Sequence, residues 1–249
     1  MFSCTCFLVS CVRFEGPGKG PAAFTVYFLN VGQGDACLMR TPENRWFLYD
    51  VGNREEYLIP FLKSVRADTL SAVFISHPDL DHFGAFPALL KEIPIKKLYL
   101  PSAVSDNPAW LELLAGLDGF RGDKVTLFAG DTLLWEEGVR VRVLWPFPHT
   151  GLKDNNLSTV LRVEYLSRRL LLTGDIEEEA ERGMLAAGAD PGADILKVAH
   201  HGSRTSSGLP FLAAVAPRWA VISCDSNVCW ESRIATNPDI PGQARTSPI

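Results

Sequence analysis

His77, Asp79, Asp81 and His82 put four metal-capable side chains into six consecutive positions, 77–82. They follow the apolar run Ala72, Val73, Phe74 and Ile75, which reads as a short buried strand. A strand ending in such a cluster delivers carboxylates and imidazoles to the mouth of a core. Both groups bind divalent ions of borderline to hard character. The other role open to Asp79 or Asp81 is capping a helix that begins near His82. Four such groups together favour a metal, because unneutralised carboxylates this close repel one another. Two more strand ends carry the same chemistry. Leu170, Leu171 and Leu172 lead through Thr173 and Gly174 to Asp175, and the run 195–198 leads through Ala199 to His200 and His201. Asp175 alone reads as an N-cap; beside the first cluster it reads as a bridge between ions. Either His200 or His201 fits as the ligand at that end.

These residues need elements to carry them. Phe24, Val26 and Phe28 alternate with Thr25 and Tyr27, which predicts a strand. Strands follow over 35–40 and 46–49, with a turn at 41–44. Apolar residues at helical spacing (Leu58, Ile59, Leu62, Val65) predict a helix over 55–65, and a second is expected over 83–93. A strand at 97–100 stops at Pro101, and a helix is expected over 106–117. The second half repeats the rhythm, with strands at 125–128, 132–135 and 139–144, then a hairpin of 159–165 and 169–172. A charged amphipathic helix over 176–187, a strand at 195–198, a helix at 209–215 and a strand at 219–222 complete the pattern. Strand clusters in both halves, interleaved with helices, predict two packed sheets with helices outside, a layered α/β fold. Three strands at the start argue against a regular doubly wound domain.

The chain has 249 residues, 47% of them hydrophobic, enough for one large domain with a substantial core. Its net charge of −5 excludes bulk attraction to nucleic acid. A nucleic-acid substrate then needs a local patch or bound cations that reverse the local sign. The six cysteines form no C-x-x-C pair and no disulfide framework. Residues 1–22 read as an apolar stub and a Gly/Pro linker, 23–224 as the folded domain and 225–249 as a disordered tail. Residues 1–12 are too short to span a membrane and lack the basic start of a signal peptide. Leu8, Val9, Ser10 and Cys11 look like a lipoprotein cleavage box, but the stub of a preceding hydrophobic segment is the preferred reading.

Six ordered motifs match a known pattern: Asn30-Val31-Gly32-Gln33-Gly34-Asp35, Tyr49-Asp50-Val51-Gly52, the 77–82 cluster, Asn155-Asn156-Leu157-Ser158, Thr173-Gly174-Asp175 and His200-His201-Gly202-Ser203. In these the chain resembles the metallo-β-lactamase fold superfamily. Within it, the chain is most similar to the hydrolase domain of the ComEC competence proteins, which act in uptake of transforming DNA. The resemblance implies a four-layer αββα sandwich and two divalent ions, Mn²⁺ or Zn²⁺, with Mg²⁺ as a further option. It implies that His77 and Asp79 hold one ion. Asp81, His82 and one of His200 or His201 hold the other, with Asp175 bridging. Asp81, Asp175 and His201 are then the catalytic residues, while Asp35 and Asp50 orient a histidine or support a turn. Asp79 stands where most members carry a second His, which hardens the first site toward Mn²⁺ or Mg²⁺. His149 lies where the superfamily places another ligand, and is either that or a loop histidine. Asn155 and Ser158 are candidate contacts to substrate, or else turn residues. Ser203 and Arg204 suit phosphate.

Two departures stand out. Asn30 replaces the usual Asp but keeps a hydrogen-bonding side chain. No histidine follows His201, whereas the family continues into a Gly-His-Pro segment; if that His protonates the leaving group, this chain is slow or inactive. The leading expectation is a metal-dependent phosphodiesterase, a DNA nuclease domain acting on single-stranded DNA in competence. A lactonase or β-lactamase, or a catalytically impaired DNA-binding fragment, are the alternatives. The family also implies a membrane channel domain as partner and a place on the outer side of the cytoplasmic membrane, with this chain by itself soluble.

Overall fold

The computed structural model describes residues 9–15, 23–224 and 235–236. Two seven-stranded sheets face each other. The first runs β1 (Val9–Glu15), β2 (Ala23–Leu29), β3 (Cys37–Arg40), β4 (Trp46–Tyr49), β5 (Leu70–Phe74), β6 (Lys97–Leu100) and β7 (Asp123–Thr126), in sequence order. The second runs from β8 (Thr132–Glu136) through β9 (Val139–Trp145), β10 (Val160–Tyr165), β11 (Arg168–Leu172), β12 (Ile195–Lys197) and β13 (Trp219–Val221) to β14 (Ala235–Thr236). In each, an antiparallel meander gives way to parallel strands. Parallel pairing needs crossovers, and helices supply them. These are α1 (Glu55–Ser64), α2 (Leu80–Phe83), α3 (Phe86–Glu92) and α4 (Pro108–Gly116) on the first sheet, and α5 (Glu178–Ala186) and α6 (Leu209–Val215) on the second.

Alternation along the strands sorts the core into three layers. Val26, Phe28, Met39, Phe47 and Phe74 meet Val141, Leu161, Val163 and Leu172 between the sheets. Leu38, Leu48 and Val73 face the helix side of the first sheet, against Leu58, Leu62 and Phe86. Leu171 and Leu196 face Ala180, Met184 and Phe211 on the other. The result is the expected αββα sandwich.

The folded body starts earlier than the sequence reading has it. Residues 9–15 are an edge strand in register with β2, from Val9 opposite Leu29 to Glu15 opposite Ala23. Val12 and Phe14 pack onto the inter-sheet core, and Phe14 stacks on Phe24 with centroids 6.2 Å apart. Arg13 and Glu15 alternate with them and pair at 2.9 Å. This period-two pattern is short, and composition alone divides it between the apolar stub and the linker. The rest of the stub and linker, residues 1–8 and 16–22, lies outside the described residues, as does the expected tail apart from β14. β14 pairs antiparallel with β13.

Where a helix is expected over 83–93, α3 begins only at Phe86, and the separate short helix α2 ends at Phe83 before it. Gly84 packs so closely that a Cβ there would lie 2.6 Å from the Leu80 carbonyl oxygen and 3.0 Å from Asn53. Pro87 then opens α3, where its missing N–H costs nothing.

Candidate metal centre

Parallel pairing places the ends of β4 and β5 on one edge, and those of β11 and β12 on the facing edge of the other sheet. Asp50 follows β4, His77 to His82 follow β5, Asp175 follows β11 and His201 follows β12. Four chain segments thus converge. Ligand atoms of His77, His82 and Asp175 lie within 4.8 Å of one another, and so do those of Asp81, His82 and His201.

The distances show which groups face which. His82 Nε2 is 3.3 Å and His77 Nε2 is 4.0 Å from Asp175 Oδ2. His77 Nε2 is 3.6 Å from Asp79 Oδ2. His201 Nε2 lies 3.3 Å from Asp81 Oδ2 and 3.4 Å from Asp175 Oδ2. His77 and His82 are fully buried, yet the Nε2 of each and Oδ1 of Asp175 have no hydrogen-bond partner among the described residues. Buried polar atoms without partners are costly. Ligand atoms of these three residues lie within 4.8 Å of one another, and lone pairs gathered so closely are what a divalent ion takes. The donor set fits a metal site of this kind.

Residues behind the ligands fix their direction. Asp50 is fully buried; its Oδ1 accepts from the Ser76 N–H at 2.7 Å and its Oδ2 from the Ser76 hydroxyl at 2.8 Å. His82 Nδ1 is 2.8 Å from the same Oδ2, so Nδ1 carries the proton and Nε2 the lone pair. The Ser223 carbonyl, 3.0 Å from His201 Nδ1, imposes the same tautomer there. Ser158 is fully buried, and its Oγ accepts from the Asp175 N–H at 3.1 Å. The hydroxyl also donates to the Asn155 carbonyl at 2.7 Å, so it ties the Asp175 backbone to the turn before β10. Gly174 (φ +53°) makes that turn possible, since a Cβ would lie 2.8 Å from Ser158 and 2.9 Å from Ser76.

The close carboxylates and imidazoles shift one another. Burial disfavours the charged forms, but partners outweigh it. Asp175 and Asp50 raise the pKa of His82 well above 6.5, and Asp175, Asp81 and Asp35 raise that of His201 to about 10. His82, His201 and His77 hold Asp175 well below the usual carboxylate range. The bond to His77 lowers Asp79. Burial pushes Asp81 up, but His201 and His82 bring it below its ordinary value.

The two adjacent histidines divide. Both have left-handed backbones, His200 at φ 49° and His201 at φ 53°, and His201 alone turns into the cluster. His200 is 3.4 Å from Glu177 Oε1 through Nδ1 and 3.5 Å from the Asn155 amide nitrogen through Nε2. It does not join the ligand groups but lies on the wall of the cleft, a space of about 360 Å³ that Asp79, Asp81, Asp175, His201 and Ser203 also line. Asn155 is half-buried and lines a neighbouring pocket with Glu177, and Arg204 is exposed and follows the cleft residue Ser203 in the chain. His149 is exposed and outside the ligand groups.

Sequence reading passed over Lys197. It is 3% exposed and its Nζ lies 2.7 Å from Oδ2 of Asp35, which is also buried. A lysine inside the apolar run Ile195, Leu196, Lys197, Val198 was the available signal, since such a charge needs a buried partner.

A fold of two facing sheets under helices, with imidazoles and carboxylates gathered at the strand ends, defines a metallohydrolase-type sandwich. The chain belongs to the metallo-β-lactamase superfamily, whose family model matches residues 29–226. It is 31% identical to ComE operon protein 3 of Bacillus subtilis (strain 168) over 242 residues, covering 89% of this chain and 30% of that protein. It is 34% identical to the competence protein ComA of Neisseria gonorrhoeae, over 85% of this chain and 28% of that one. The chain thus spans under a third of these relatives' length. Among solved structures, a mutant of the CmlA beta-hydroxylase superposes with a TM-score of 0.52 at 15% identity, covering 76% of this chain and 44% of that one. That likeness shows the fold alone.

Proposed function

We propose that this domain is a divalent-metal-dependent phosphodiesterase that cleaves DNA, single strands above all, during DNA uptake. The observation that carries the reading is that ligand atoms of the buried His77, His82 and Asp175 lie within 4.8 Å of one another, beside a cleft that Asp79, Asp81, Asp175 and His201 line, in a chain related to competence proteins. His77, Asp79 and Asp175 hold one ion; Asp81, His82 and His201 hold a second, with Asp175 shared. When bound, such ions lower the pKa of water and neutralise charge on phosphoryl oxygens. Asp50 and Ser76 keep the His82 lone pair aimed inward, and Ser158 keeps Asp175 in place. Without cations, Asp79, Asp81 and Asp175 repel a phosphodiester; with them the sign reverses. Ser203 on the cleft wall and the exposed Arg204 next to it in the chain take the flanking phosphates. One imidazole and two carboxylates make the first position hard, favouring Mn²⁺ or Mg²⁺ over Zn²⁺.

Among the described residues no helix is long and apolar enough to cross a membrane. The chain covers 30% and 28% of these relatives, which leaves room for a membrane channel as partner and for work on the outer side of the cytoplasmic membrane. The second reading is a domain that binds DNA without cleaving it.

The test is metal-stripped protein given single-stranded DNA with Mn²⁺, Mg²⁺ or Zn²⁺ in turn. Cleavage is expected to return with Mn²⁺ or Mg²⁺. It should fall at least about 100-fold in Asp81→Asn, since even partners behind a ligand are worth about 10–100-fold. Nitrocefin turnover with intact DNA would make the domain a small-molecule hydrolase. DNA binding without cleavage would select the second reading, and restoration by Zn²⁺ alone would refute the hard-ion preference.

A further inference from the structure

The Lys197–Asp35 pair has no part in the chemistry above, and stability does not account for it. Swapping a buried ion pair for apolar groups of similar volume is often neutral or stabilising. What singles the pair out is what it touches. Lys197 sits on β12 of the second sheet and Asp35 on the loop after β2 of the first, so the 2.7 Å contact crosses between the sheets. Lys197 Nζ is tethered further by donating to the Val198 carbonyl at 3.1 Å. Asp35 then reaches two of the ligands. Its Oδ1 is 3.6 Å from His201 Nδ1, and its N–H donates to the Asp81 carbonyl at 3.3 Å. One Asp35 oxygen also lies within 4.8 Å of an Asp50 oxygen and a His82 ring nitrogen. Gly34 lets this loop lie on the Asp81 backbone, because a Cβ there would fall 2.1 Å from the Asp81 carbonyl oxygen. His77 and Asp79 are held differently, His77 Nδ1 by the Ser76 hydroxyl at 2.9 Å and Asp79 by His77 itself.

We propose that Lys197 is a positioning residue that, by clamping Asp35 across the two sheets, holds Asp81 and His201 in place for one ion and leaves the His77–Asp79 position untouched. The proposal rests on the two-ion reading above. It predicts an asymmetric defect: losing Lys197 frees Asp35 to turn, and the geometry relaxes at Asp81, His201 and His82, the three residues of one ion position.

The experiment is titration of the metal-stripped full chain with Mn²⁺ alone, followed by calorimetry and electron paramagnetic resonance, so no DNA cleavage is involved. Wild type is expected to hold two ions with the spectrum of a coupled pair. Lys197→Met should hold one ion as before and the other about 10–100-fold more weakly, the usual effect of a partner behind a ligand. Its spectrum should become the six-line signal of a single Mn²⁺. The double variant Asp35→Asn with Lys197→Met leaves no lone buried charge and should show the same one-sided loss. It decides the matter if Lys197→Met does not fold. Two wild-type affinities in the double variant, or equal weakening of both, would overturn the proposal. If wild type takes up no Mn²⁺, the hydrolase reading fails and this proposal with it. If wild type holds one ion, the two-ion reading fails, and Lys197 keeps its role only if its loss weakens that ion.

Discussion

At the scale of single residues, the cluster behaves as a site in which protons stand where cations bind. Burial alone would keep His201 neutral, but the carboxylates of Asp175, Asp81 and Asp35 raise its pKa to about 10, and Asp175 and Asp50 raise His82 as well. Folded values above the unfolded 6.5 mean that metal-free protein gains stability from these imidazolium ions below about pH 6.5. That gain is lost as pH rises through about 10. Asp175 works from the other end. Its lowered pKa contributes stability above the ordinary carboxylate value of 3.8, and that contribution is lost as pH falls further. The melting temperature of stripped protein should therefore be highest between about pH 4 and 6.5 and decline steadily toward pH 10. Manganese should flatten the alkaline decline, because it replaces the protons. A stripped protein whose melting temperature rises between pH 7 and 10 would contradict this account. Much of the cluster was legible beforehand, because His77, Asp79, Asp81, His82 and Asp175 are polar residues at the ends of apolar runs. The division between His200 and His201 was not, since it depends on two successive left-handed backbones. Nor was Ser158, whose hydroxyl serves a backbone N–H seventeen residues away.

At the scale of elements, the strands that carry the site were readable because each is a short apolar run closed by a turn signal. β4 was placed to the residue, and β12 ends one residue sooner than expected. The misreadings have local causes. β5 begins at Leu70, two residues early, because its first pairing is with Ile95 and Trp46 and not with a patterned neighbour. β7 covers 123–126 in place of 125–128, because its register is set by β6 through Lys97 opposite Asp123. β1 was missed because an edge strand shows its pattern on one face only. The loops between elements are held more tightly than composition conveys. The segment after β2 turns at Gly34 with φ +126°, against the Asp81 carbonyl. Gly34→Ala forces either the loop or Asp81 to move. We expect it to cost about 1–3 kcal/mol of stability, the range for a residue held in such backbone strain, measured by urea unfolding of the stripped protein. Unchanged stability would mean that the loop does not bear on Asp81.

At the scale of the whole molecule, the site lies on the seam between two sheets. His77, Asp79, Asp81 and His82 come from the first sheet, and Asp175 and His201 from the second. Polar ties already cross that seam. The Tyr49 hydroxyl donates to the Thr159 carbonyl at 2.7 Å, the Thr159 N–H donates to Ser76 at 2.9 Å, and Lys197 meets Asp35. Below them the apolar core continues, with Phe47 stacked on Trp135 at 3.7 Å between centroids. A cation at the seam draws its ligands from both sides, so it binds the closed sandwich and not the separated sheets. Binding to the folded state alone raises stability by about 2.7 kcal/mol when the free ion stands at 100 times its dissociation constant. Chelation should therefore lower the melting temperature by several degrees, and Mn²⁺ should restore it. Asp175 is the carboxylate that His77 and His82 face from across the seam and that His201 meets from its own sheet, so Asp175→Asn should lose most of that manganese-dependent rise. If Mn²⁺ stabilised Asp175→Asn as strongly as wild type, Asp175 would not be the carboxylate that ties the metal to both sheets.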